Sequence, residues 1–125
     1  MIEFVKYTFN PNASDGSTVD LLPIMSEGFN YSISDVQVED NIQRTLTCED
    51  SEIGKLTSMR FGDSVNDDIE GASSSNRALS LLSVDLLNVS TLTSCIYMFR
   101  RCNNVNKIDT TYFDTSNVTN MGAMF

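Results

Sequence analysis

The chain has 125 residues and a mass of 13.9 kDa, enough for one ordinary domain or two small units sharing a core, and 41% apolar residues make disorder throughout untenable. Eight Lys and Arg against 17 Asp and Glu give a net charge of -9 and a pI near 4.2, which repels phosphate backbones and anionic lipid surfaces and excludes nucleic acid as the expected partner. No apolar run reaches the length of a membrane span, since the stretch from Leu79 to Leu87 is broken by Ser80, Ser83 and Asp85, so membrane insertion is not expected.

Residues 1–52 read as a small antiparallel β unit. Ile2 to Phe9, Phe29 to Ile33 and Ile42 to Cys48 alternate apolar and polar with period two, which predicts three strands. Asn10-Pro-Asn-Ala-Ser-Asp-Gly16 is a turn cluster, and Asp40-Asn41 has the chemistry to turn a hairpin. The start at Met1 lacks the basic and apolar regions of a secretory leader, so the expectation is assembly in the cytoplasm. Cys48, Cys95 and Cys102 are odd in number with no CxxC, and histidine is absent, so buried small hydrophobes are expected and not a disulfide framework or a zinc site.

Residues 53–125 carry internal repetition. An LxxLxL pattern occurs at Leu56 to Phe61, Leu81 to Leu86 and Val105 to Thr110, with starts 25 and 24 residues apart. Ser90 to Phe99 also aligns without gaps on Ser116 to Phe125, 26 residues later, with Ser90, Thr93, Met98 and Phe99 matched identically. Strands are predicted near Met59, Val84 and Ile108, and short helical turns ending at Phe99 and Phe125. Phe113-Asp-Thr-Ser-Asn-Val-Thr-Asn-Met121 followed by Met124-Phe125, and Phe99-Arg-Arg-Cys102 before Val105, resemble the repeat of BspA-like leucine-rich surface proteins.

That resemblance implies a mainly β (α+β) fold, in which the N-terminal unit caps or attaches a leucine-rich repeat solenoid with short helical convex turns, cut in mid-repeat at Phe125. It further implies a structural and binding protein: a phage tail-fibre or baseplate component whose N-terminal unit joins other virion proteins and whose repeats meet a host glycan or protein. The alternative is a bacterial surface adhesin. Fibres of this kind imply a homotrimer, although no heptad marks one.

The outward x positions of LxxLxL, Ser58, Arg60, Ser83, Asp85, Lys107 and Asp109, form the candidate partner-binding strand face. No nucleophile elbow, phosphate-cradling loop or paired-acid motif marks an enzyme, and no cofactor is implied. Two acidic stretches, Asn10 to Gly16 and Asp63 to Glu70, fit neither EF-hand nor RTX spacing and are expected to be solvated loop carboxylates without bound calcium.

Overall fold

A computed structural model describes residues 1–64 and 74–125. Among the described residues seven strands form, β1 (Ile2–Phe9), β2 (Ile24–Met25), β3 (Ser32–Val38), β4 (Asn41–Cys48), β5 (Met59–Arg60), β6 (Leu81–Leu86) and β7 (Lys107–Asp109), with a single turn of 3-10 helix (Ile53–Lys55) and a five-residue α-helix, α1 (Asn76–Ser80). Five of the strands make one mixed sheet in the order β3-β4-β1-β6-β7, and β2 and β5 make a separate antiparallel pair. Every pairing in the large sheet is antiparallel except β6 with β7.

The alternation in β1 and β4 explains the layer beneath the sheet. Phe4, Val5, Tyr7 and Phe9 of β1 are buried, as are Arg44, Leu46 and Cys48 of β4 and Leu81, Val84 and Leu86 of β6. A bulge between Glu3 and Val5 lets the adjacent Phe4 and Val5 both be buried. Opposite this face, Leu21, Leu56, Met59, Phe61, Val89, Leu92, Cys95, Met98 and Phe99 complete a single core. The three cysteines are buried and free, and burial pushes the Cys102 thiol up to about 12, so they act as apolar filler.

Arg44, the charged side chain that β4 turns into this layer, is fully engaged. Arg44 donates from Nε and Nη2 to both carboxylate oxygens of Asp35 at 2.7 and 2.8 Å, from Nη1 to Asp20, and again from Nη1 to the Leu21 carbonyl at 3.1 Å. Its guanidinium also lies 5.1 Å from the centroid of Phe9. A planar fork with five donors can satisfy all these partners at once, which a lysine cannot. Beside it the Tyr7 hydroxyl donates to the Leu21 carbonyl, and burial holds that phenol protonated well above its ordinary range.

The leucine-rich repeat solenoid with helical convex turns does not form. In place of it, β6 is drawn into the mixed sheet between β1 and β7, while the first LxxLxL copy contributes β5 to a different sheet by pairing antiparallel with β2. The segments ending at Phe99 and Phe125 are turns, not helices, because their amides bond to neighbouring segments. Cys95, Tyr97 and Phe99 donate to Asn120, Gly122 and Met124, and Thr93 and Ser94 both donate to Thr57. Residues from 57, 93 and 119 onward thus lie side by side, with parallel bridges Ser58 to Ser94 and Ser94 to Asn120. Phe61 stacks on Phe99 at 6.2 Å and Phe99 on Phe125 at 5.7 Å, and Tyr7 meets Phe61 edge-on at 4.9 Å.

Two other expectations shift. The strand read over Phe29 to Ile33 lies further on, at Ser32–Val38, because Phe29 is spent in the core against Phe4, with ring centroids 5.2 Å apart. The hairpin turns at Glu39-Asp40 and not at Asp40-Asn41, with Glu39 at φ 55°. Among the described residues no helix is long and apolar enough to cross a membrane.

Three outcomes follow from this packing. Phe99→Ala removes the middle ring of the stack and is expected to cost about 3 to 5 kcal/mol in chemical denaturation. Gly62→Ala would set a methyl 2.2 Å from the Arg100 amide nitrogen and 2.4 Å from the Tyr97 carbonyl, so that variant should lose more stability than Phe99→Ala or fail to fold. The Arg44 hydrogen bonds hold the Asp35 carboxyl below its ordinary value. A depressed folded value means that its stabilisation is present in full above about pH 4 and is lost as pH falls through the folded value. Asp35→Asn should therefore lower the melting temperature at neutral pH and flatten the loss of stability on the acid side of pH 4.

Candidate functional site

The outward residues of the large sheet gather into cross-strand rows. Pairing sets Ser34 beside Thr45, Thr45 beside Lys6, Lys6 beside Asp85 and Asp85 beside Asp109. The next row runs Val36, Gln43, Thr8, Ser83 and Lys107 by the same registers. All these positions are half-buried or exposed, while their chain neighbours on β1, β4 and β6 point into the core. The result is a face, five strands wide, of hydroxyls, an amide, two ammonium groups and two carboxylates, with the exposed Val36 at its β3 edge.

Local structure fixes part of this face. Asp109 accepts from the Thr111 amide at 2.9 Å and the Thr111 hydroxyl at 2.6 Å, and those bonds hold its carboxyl ionised below the ordinary range. β7 is held in parallel register by Ser83 with Lys107, Val84 with Ile108 and Asp85 with Asp109, and the Asn106 amide bonds the Leu82 carbonyl at 2.8 Å. Ser83 and Asp85 are carried by the fully paired β6, so their spacing to Thr8 and Lys6 is set by backbone.

Of the six residues expected on one strand face, Ser83, Asp85, Lys107 and Asp109 are brought together here. Ser58 and Arg60 are elsewhere. Ser58 bridges Ser94, and with Arg60, Ile24, Met59 and Ile96 it lines a shallow cleft of about 130 Å³. Arg60 donates to the Gly62 carbonyl at 2.7 Å. The sequence reading missed Lys6, Thr8, Gln43 and Thr45. Their signal was present, as the polar phase of the alternating segments Ile2 to Phe9 and Ile42 to Cys48, but which strand borders β6 was not encoded in either pattern.

A second polar concavity of about 310 Å³ is lined by Asn10, Asn12, Ser14, Asn76, Leu79, Ser80 and Asn104. Several of its amides are structural fasteners. The Asn104 amide donates to the Leu79 carbonyl at 2.9 Å and the Asn76 amide to Asp15 at 3.0 Å. Asp15 also accepts from the amide and hydroxyl of Ser17, and these bonds bring its carboxyl down to about 2. The one carboxylate of the first acidic stretch therefore closes a turn. Of the second stretch, Asp63 is buried and caps the loop before α1 by accepting from the Ser75 amide at 2.9 Å and the Ser75 hydroxyl. Residues 65–70 of that stretch lie outside the described residues. Among the described residues no group of three or more acidic or cysteine side chains is placed to hold a metal ion.

No curated protein and no solved structure matches the chain. A family model does, over residues 63–125, and its description is "Mycoplasma protein of unknown function, DUF285". That match overturns the resemblance to BspA-like leucine-rich repeat surface proteins and carries no phage-tail reading with it. Covering half of the sequence, from Asp63 to Phe125, it shows that the chain belongs to the DUF285 family.

Proposed function

We propose that this protein is a non-enzymatic structural and binding component that holds a hydroxyl-rich ligand, a cell-surface glycan, against the outer face of its five-stranded sheet. This is the role of an attachment protein on a tail-like particle or a cell surface. The observation that carries the reading is the mixed polar row Thr45, Lys6, Asp85 and Asp109 beside Gln43, Thr8, Ser83 and Lys107. Sugar hydroxyls both donate and accept. Lys6 and Asp85, opposite each other across strands at about 5 Å, offer both kinds of partner side by side, and Asp109 and Lys107 add one charge of each sign, so the face carries no net charge of one sign to desolvate.

Rigidity supports the same reading. The row is carried on backbone paired on both sides in β1, β4 and β6, so little ordering entropy would be lost when a ligand settles on it. An overall acidic chain would repel polyanionic polymers and so favours neutral glycans on this surface.

The test is binding of the purified chain to an array of bacterial surface polysaccharides. Lys6→Glu combined with Lys107→Glu should weaken the retained signal about tenfold or more, as the loss of charge-assisted hydrogen bonds usually does, with the circular dichroism spectrum unchanged. Unaltered binding by that variant, or no glycan retained by the parent chain, would remove the reading.

A further inference from the structure

The large sheet has one long edge that lies wholly within the chain. All seven residues of β3 are exposed, and among the described residues the strand is paired on one side only, to β4. The two-residue turn makes Val38 and Asn41 a pair that exchanges hydrogen bonds. By alternation, Val36, Ser34 and Ser32 also turn their amides and carbonyls toward β4, while Ile33, Asp35 and Gln37 turn theirs to the open side. The edge thus offers three N–H and three C=O groups in strand geometry. Three exposed apolar side chains accompany them, Val36 at 57%, Ile33 at 46% and Val38 at 45% exposure.

Edges of this kind are normally blunted by lysine, proline or a bulge. β3 has none of these, its inward-turned charge Asp35 is bound to Arg44, and its register with β4 is unbroken from Ser32 to Val38. Its guard is charge at the two ends. Glu39 and Asp40 form the hairpin tip. At the other end Glu49, Asp50 and Glu52 follow β4; Asp50 lies 3.8 Å from the Met1 ammonium and Glu52 pairs with Lys55 at 2.6 Å while accepting from the Asn30 amide at 2.9 Å, so this end stays acidic chiefly through Glu49 and is less charged than the tip. The only cation of the hairpin, Arg44, is committed to Asp35 and Asp20.

This distribution decides between occupants. In an antiparallel pairing of two copies through β3, the acidic tip of each would meet the acidic base of the other. Like charges placed this way repel at both ends. An extended segment with apolar residues in its centre and lysine or arginine at its ends meets exposed Ile33, Val36 and Val38 along the strand and carboxylates at both ends, most strongly at the Glu39-Asp40 tip. We propose that β3 is a docking edge for a cationic, extended polypeptide segment, which adds to the sheet as a sixth strand beside Ser32–Val38. Backbone bonds to Ile33, Asp35 and Gln37 give it purchase, and the acidic ends select its charge.

The experiment uses the full chain and a labelled, acetylated and amidated peptide with a Val-Thr-Val-Thr-Val centre and two lysines at each end, followed by fluorescence anisotropy at about 50 mM and about 500 mM salt. Saturable binding that weakens at high salt is expected, together with at least about tenfold weaker binding of the same peptide carrying glutamates in place of the lysines. Gln37→Pro removes an open-side N–H without touching the β3–β4 bonds and should weaken binding about tenfold or more. Should that variant not fold, Glu39→Lys with Asp40→Lys keeps the backbone groups and should reverse the preference between the two peptides. The proposal is overturned by absence of peptide binding, by equal binding of both peptides, or by variants that bind as the parent does. It is equally overturned if sedimentation velocity shows a dimer of the parent chain that Gln37→Pro abolishes, which would assign the edge to a second copy.

Discussion

Everything in this fold depends on β1 being paired on both sides. It accepts β4 along one edge and β6 along the other, and its buried side chains, Phe4, Val5, Tyr7 and Phe9, form the centre of the core. Val5 meets Leu86, a partner far along the chain, so the sheet closes only when its first and later portions have met. Such non-local pairing costs loop-closure entropy before any contact compensates it. The large aromatic side chains of β1 supply that compensation, because each removes extensive apolar surface from water in one step.

Period-two alternation made β1 and β4 readable in advance, since a strand with one buried face must place its apolar residues on alternate positions. The positions of strands near Met59, Val84 and Ile108 could be read from LxxLxL for the same reason. Pairing could not. Leu56 to Phe61 and Leu81 to Leu86 look equivalent as strings, yet one lies against Ile24-Met25 and the other against β1. Partner choice is decided by the whole core, above all by where Phe9, Tyr7 and Phe61 can pack together, and a local pattern carries no record of that. Repetition implies one coiling architecture only where equivalent strings have equivalent neighbours, and here they do not.

The candidate site shows the same division. Ser83, Asp85, Lys107 and Asp109 were legible as outward positions, and they do share a face. Their companions Lys6 and Thr8 come from the opposite end of the sequence and were invisible until β1 was seen to border β6. Arg44 was hidden for a different reason. The alternation of β4 puts Arg44 in phase with Ile42, Leu46 and Cys48, against the preference of a charged residue for solvent, and the core side is tolerable for it only because Asp35, Asp20 and the Leu21 carbonyl satisfy its donors.

The pairing of β1 with β6 also separates kinship from foldability. The stretch that belongs to the family begins at Asp63, but the strand that completes its sheet begins at Ile2. Excised as a fragment or grafted onto a foreign leader, residues 63–125 would leave β6 with one bare edge and would uncover Val84 and Leu86. In this protein the segment held in common with the family is one part of a sheet whose central strand lies outside it.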